Sequence, residues 1–144
     1  MTVDEIFTFL TKGANCSQAV LLSADEELGL TPETAMKIAA GFGGGMYSGD
    51  TCGCVTGAIM ALGLKYGWDF TGSQCDRDLC REKITEFKER FKEENGSIYC
   101  RELLDADIST PEGAAEVEQK NLKQELCPKL MASASEILAD LLDD

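Results

Sequence analysis

Apolar residues recur at three- and four-residue spacing along almost the whole chain, and no stretch alternates with period two for long enough to make a strand. That periodicity restricts the chain to helix-on-helix packing, so the expected fold class is all-α. The expected architecture is a compact bundle of about six to seven helices with a glycine-rich loop. No repeat, low-complexity tract or long linker divides the 144 residues, so residues 1–144 read as one cysteine-rich helical domain. A chain of this length buries about two-thirds of its unfolded surface without disulfide staples.

Stop and start signals punctuate the pattern. The first helix is expected from about Val3 to Lys12, with Gly13 as its stop. Asn15, with Gln18 three residues on, caps a second helix whose stripe is Val20, Leu21, Ala24 and Leu28 and whose terminator is Gly29. Thr31 and Pro32 open a third, which GFGGG (Gly41, Gly43, Gly44, Gly45) cannot sustain. After the loop MYSGD, Asp50 or Thr51 is expected to cap a helix through CGCVTGAIMALGLKYG, ending near Gly67. Ser73 and Asp76 form a capping box for a long helix to about Glu94, with Cys80, Ile84, Phe87 and Phe91 as its apolar stripe. Asn95-Gly96 ends it, and Ser97 is expected to cap a short helix, IYCRELL. The acidic segment from Asp105 to Glu125 is only partly helical by pattern. Cys127 then caps a last helix with Pro128 in its first position and Leu130, Ile137, Leu138 and Leu141 on its apolar face.

The chain holds seven cysteines and no histidine. Without histidine there is no Cys-His nucleophilic pair, no His-ligated zinc and no imidazole proton shuttle. The acidic residues form no paired-carboxylate motif beyond solvated helix faces, so the chemistry falls to the thiols. Net charge is −13, which opposes nucleic acid and anionic membrane surfaces. The start MTVDEIFTFLTKG lacks the basic and apolar regions of a secretory leader. The longest apolar stretch, Cys52 to Leu64, is 13 residues with three glycines, short of a membrane span. A cytoplasmic location is expected, and in that reducing compartment cysteines in such number serve catalysis, sensing or metal binding more often than structural disulfides.

On these boundaries Cys16, Cys52, Cys75, Cys100 and Cys127 fall at a cap or in a first helical turn, while Cys54 and Cys80 lie deeper. The partial positive charge of a helix N-terminus favours thiolate over thiol. Each position also has a plainer explanation, because free cysteine packs as a small hydrophobe: Cys80 lies in an apolar stripe, Cys16 shares one, and Cys75 has Asp76 and Asp78 beside it opposing ionisation. Cys52 is the expected reactive thiol, since it follows the glycine-rich loop and opens a helix.

NCSQAV at Cys16, CGCVTG at Cys52 behind GFGGGM, IYCREL at Cys100 and LCPKL at Cys127 together resemble the redox-active protein family named for its C_GCAxxG_C_C cysteine pattern. The resemblance covers nearly the whole chain. It implies that Cys16, Cys52, Cys100 and Cys127 are the functional, catalytic cysteines, and that Cys75 and Cys80 are extras. Cys54 is a departure, because the family's CGAxxG motif has alanine there.

Three functions compete on the sequence. In the first, Cys52 attacks a disulfide and Cys16, Cys100 or Cys127 resolves it, with a redox partner or small thiol as co-reactant. In the second, the same four cysteines hold zinc or an iron-sulfur cluster, although single scattered cysteines are unlike the usual close pairs. In the third, oxidation changes helix packing that a partner recognises. A homo-oligomer is compatible with a small helical bundle. A phosphate site at GFGGGMYSGD has no preceding strand and no GK[ST], so that loop reads as a turn where helices meet.

Overall fold

The computed structural model describes residues 3–143 and, among them, eight α-helices and no strand longer than an isolated bridge. The helices are α1 (Val3–Thr11), α2 (Cys16–Leu22), α3 (Pro32–Ala39), α4 (Gly53–Tyr66), α5 (Gln74–Asn95), α6 (Cys100–Leu103), α7 (Pro111–Gln119) and α8 (Leu122–Leu142). None is long and apolar enough to cross a membrane.

The central helix is α4, which packs on α2, α5 and α8. Its sequence explains the position: small and apolar residues surround it, and a helix without a polar face is stable only when enclosed. Val55, Ala58, Ala61 and Leu62 of α4 meet Val20 and Leu21 of α2, Phe87 and Phe91 of α5, and Met131, Ile137, Leu138 and Leu141 of α8. The Phe87 and Phe91 rings stack with centroids 6.0 Å apart. A smaller apolar cluster, Cys100, Leu104, Ala106 and Val117, is covered by Ile108, Leu122 and Leu126.

Several termini match the expected signals: Gly13 at positive φ after α1, the Asn15/Gln18 box, Thr31 and Pro32 opening α3, and the Ser73/Asp76 box with Gly96 closing α5. Others do not. The second helix stops at Leu22, short of Gly29, because the Ser23 hydroxyl donates to the Val20 carbonyl and the acids 25–27 oppose the dipole of a helix C-terminus. The chain continues there in tighter turns. The cap of α4 is Cys52 itself, not Asp50 or Thr51: Thr51 forms a bridge with Tyr99, and the Asp50 carbonyl accepts from the Cys100 N–H. Cys54 therefore lies in the first turn of α4 and not deeper in it. Ser97 does not cap α6, since its hydroxyl accepts from the Tyr99 N–H (3.0 Å) in the turn before that helix.

The largest departure is at the C-terminal end. Cys127 is not a cap, because α8 begins at Leu122 and carries Pro128 inside it. Proline there leaves the Gln124 carbonyl without its i+4 donor. The six residues gained bring Leu122 and Leu126 onto the smaller apolar cluster, which offsets that loss. The acidic segment is more ordered than its pattern suggests: Thr110 and Pro111 form an N-cap and first position for α7, with the Gly113 N–H donating to the Thr110 hydroxyl at 3.0 Å.

Candidate functional site

Cys16 is the first residue of α2, and the residues around it fix that helix start on α3. The Asn15 carboxamide oxygen accepts from the Gln18 N–H (3.0 Å) while the Gln18 side-chain oxygen accepts from the Asn15 N–H (2.9 Å). The remaining donors turn to the carbonyls that end α3: Gln18 Nε2 donates to Met36 (2.8 Å), the Ser17 hydroxyl to Ala39 (2.7 Å) and Asn15 Nδ2 to Ala40 (3.1 Å). Those carbonyls would otherwise lack helical partners, so NCSQ closes one helix while opening the next.

Two glycines of CGCVTG bring α4 onto this knot. A Cβ at Gly57 would stand 2.6 Å from the Ser17 carbonyl oxygen, and one at Gly53 would stand 3.0 Å from the Ser17 nitrogen and 3.2 Å from the Cys16 Cβ. Backbone therefore meets backbone, which places Cys52 and Cys54 beside Cys16. Cys100 arrives by another route. The Thr51–Tyr99 bridge is flanked by Cys52 N–H donating to Ile98 and Cys100 N–H donating to Asp50, both at 2.7 Å. Arg101 fastens the segment before Thr51 through Nε to the Gly49 carbonyl (3.0 Å) and a guanidinium contact with Asp50 (2.7 Å).

Donation toward the Cys16 sulfur from the Cys127 and Cys54 thiols, aided by the backbone N–H groups of Gly44 and of Cys16 itself, favours its ionised form. The Cys127 and Cys54 bonds do most to hold the Cys16 thiol well below its ordinary ionisation range, and burial opposes them. Its neighbours move the opposite way. Cys54, fully buried, is pushed up by its bonds to Cys16 and then to Cys52, and Cys127 is pushed up by its bond to Cys16 and then by burial. Burial lifts Cys100 to about 12, with the neighbouring charge of Cys52 and Cys16 adding to it. The Cys16 thiol is thus the one shifted toward thiolate, while Cys54, Cys100 and Cys127 beside it are shifted toward the protonated form.

The glycine-rich loop approaches the network at Cys16, although the sequence suggested Cys52. Residues 44–47 form one left-handed turn, with φ of 60° at Gly44, 63° at Gly45, 60° at Met46 and 57° at Tyr47. Left-handed backbone costs an L-residue about 1–2 kcal/mol, so Met46 and Tyr47 hold strain at the site. The Tyr47 hydroxyl donates to the Ala40 carbonyl at 3.3 Å.

Cys16, Cys52, Cys100 and Cys127 all line one cavity of about 230 Å³ between the main core and the smaller cluster, with Leu10, Leu104, Ile108 and Met131 in its apolar wall. Among the described residues Lys123 is the one charged side chain lining it. The structure brings together the four cysteines singled out by sequence and adds Cys54 behind them. Cys75 is exposed and Cys80 buried on α5, and neither lines the cavity. All seven cysteines are thiols. Among the described residues no three Cys, Asp or Glu side chains are grouped so as to hold a metal ion. The Ser17 lock and the Thr51–Tyr99 bridge were missed from sequence, since neither has a periodic signature.

Helices arranged to gather thiols from four separate segments around one cavity define a class: an all-α protein with a cysteine-lined centre. The chain belongs to the family described as "Putative redox-active protein (C_GCAxxG_C_C)", which it matches over residues 14–141. It matches no curated protein and no solved structure.

Proposed function

We propose that the protein is a thiol–disulfide redox protein in which Cys16 is the nucleophile and Cys127 the resolving thiol. The observation that carries this reading is the placement of Cys16 at the start of α2 on the wall of the cavity it shares with Cys127 and Gly44, neighbours that lower its thiol. A lowered thiol with access to a cavity is what thiolate attack needs. This moves the reactive role from Cys52, expected from sequence, to Cys16.

The thiolate of Cys16 attacks one sulfur of a disulfide R–S–S–R, forming Cys16–S–S–R and releasing RS⁻. That step removes the negative charge that held Cys127 protonated. Cys127 then gives its proton to the released RS⁻ and attacks the Cys16 sulfur, forming Cys16–S–S–Cys127 and expelling the second RS⁻, which takes from solvent the proton Cys16 had lost on ionising. One disulfide is reduced to two thiols, and two protein thiols are oxidised. Cys100, whose thiol is raised mainly by burial, stays protonated through this exchange.

The test is the reaction of reduced Cys16→Ser, Cys52→Ser and Cys127→Ser proteins with a small disulfide, followed by thiol counting and metal analysis. Loss of rapid reaction in Cys16→Ser, with a trapped mixed disulfide in Cys127→Ser, is expected. Rapid reaction surviving in Cys16→Ser and lost in Cys52→Ser would overturn the assignment. Stoichiometric zinc or iron after anaerobic, metal-replete preparation, with no disulfide formed, would move the four cysteines to ligand duty.

A further inference from the structure

Cys54 has no part in the exchange just described, yet it is fully buried in the first turn of α4, which Gly53 and Gly57 hold against Cys16 and Ser17. Cys16 and Cys127 line the cavity, Cys54 lies behind them, and one residue separates Cys54 from Cys52. We infer that this chain holds a second dithiol, Cys52 and Cys54, loaded with oxidising equivalents through Cys16, so that the reduced protein gives up four electrons and not two. The inference rests on the proposed Cys16–Cys127 exchange and extends it.

The transfer balances internally. Cys54 attacks the Cys16 sulfur of the Cys16–Cys127 disulfide, and Cys127 leaves and takes up the proton that Cys54 lost. Cys52 then attacks the Cys54 sulfur, forming Cys52–S–S–Cys54 and returning Cys16 as a free thiol able to ionise. Cys16 and Cys127 are then ready for a second molecule of R–S–S–R. Across both rounds, four protein thiols become two disulfides and two molecules of R–S–S–R become four of R–SH.

Burial dictates the order. Cys54 is fully buried and Cys52, although it also lines the cavity, is only 4% exposed, so a small oxidant meets the more open Cys16 first. Only Gly53 separates Cys52 from Cys54, so their disulfide closes a short, strained ring, and strain makes a disulfide more oxidising. The second couple therefore fills after the first, at a more oxidising poise. Because the CGAxxG motif has alanine at this position, the second dithiol belongs to chains that carry cysteine there.

The experiment uses the reduced full chain in a Cys75→Ser background, which removes the exposed thiol of α5. Excess bis(2-hydroxyethyl) disulfide is added, samples are quenched in acid, free thiols are alkylated, and intact mass and disulfide positions are read. The parent protein is expected to lose four hydrogens in two separable steps. Cys54→Ala and, independently, Cys52→Ser are expected to stop at the Cys16–Cys127 disulfide. Cys16→Ser is expected to form no Cys52–Cys54 disulfide within the time the parent needs. A parent that stops at one disulfide, a Cys54→Ala protein that still forms two, or a Cys16→Ser protein that closes Cys52–Cys54 as fast as the parent overturns the inference. A parent that forms one Cys16–Cys127 disulfide and no more leaves the proposed function standing; one that forms none removes both.

Discussion

Gly57→Ala and Gly63→Ala place the same substitution in the same helix and should change stability in opposite directions. In a helix interior, alanine is favoured over glycine by about 0.8–1 kcal/mol. At Gly63 a Cβ meets nothing within 4 Å, so that gain is expected nearly whole. At Gly57 the new Cβ would stand 2.6 Å from the Ser17 carbonyl oxygen, 3.1 Å from its Cα and 3.2 Å from its carbonyl carbon. These are backbone atoms with no rotamer to move, so α2 and α4 must separate by several tenths of an ångström. Overpacking of this kind costs about 1–3 kcal/mol. Loosening the bond from Ser17 to Ala39 adds about 1 kcal/mol. Setting the propensity gain against these leaves Gly57→Ala about 1–3 kcal/mol less stable, or roughly 3–10 °C in Tm for a domain of this size. Urea and thermal unfolding of the reduced proteins measure it. The thiols supply a second readout, because moving α4 away takes the Cys54 donor from Cys16 and raises the Cys16 thiol. Alkylation of Cys16 at neutral pH should then slow, by about tenfold for each unit that its pKa rises above the assay pH. Equal stabilisation by both substitutions would refute the view that close backbone contact at Gly57 assembles the site.

Ser17→Ala should cost about 1–2 kcal/mol in urea unfolding, since it leaves the buried end of α3 without its donor; an unchanged midpoint would detach NCSQ from α3. Met46→Gly should raise stability by about 1 kcal/mol by relieving left-handed strain, and a loss would mean the Met46 side chain outweighs it. Cys100, raised in the folded state to about 12 from an unfolded value of about 8.5, adds stability that is full below about pH 8.5 and is lost as pH rises toward 12. The parent should therefore lose stability more steeply than Cys100→Ala across that window in pH-dependent urea titrations. Cys16 has the opposite sign, because its lowered thiol adds stability present above about pH 8.5 and lost as pH falls through its folded value. Replacing Cys127 by alanine removes the leading cause of that lowering, so the pH midpoint of Cys16 alkylation should shift upward; no shift would deny the bond between them.

The sequence by itself determined the helices and most of their ends, because apolar periodicity and capping are local: Asn15 with Gln18, Thr31 with Pro32, and Ser73 with Asp76 act within one turn. It also identified Cys16, Cys52, Cys100 and Cys127, through a motif that spans the chain. Pro128 misled the reading of the last helix, since the usual place of proline in a first turn is a preference that the burial of Leu122 and Leu126 overrides. Tertiary structure alone decided which thiols come together and that Cys16 is the one lowered. That depends on α4 closing against α2 at Gly53 and Gly57, on α8 delivering Cys127 from its second turn, and on a left-handed turn aiming the Gly44 N–H at Cys16. Ionisation depends on which donors lie within a few ångströms of the sulfur, and those donors come from residues far apart in the chain.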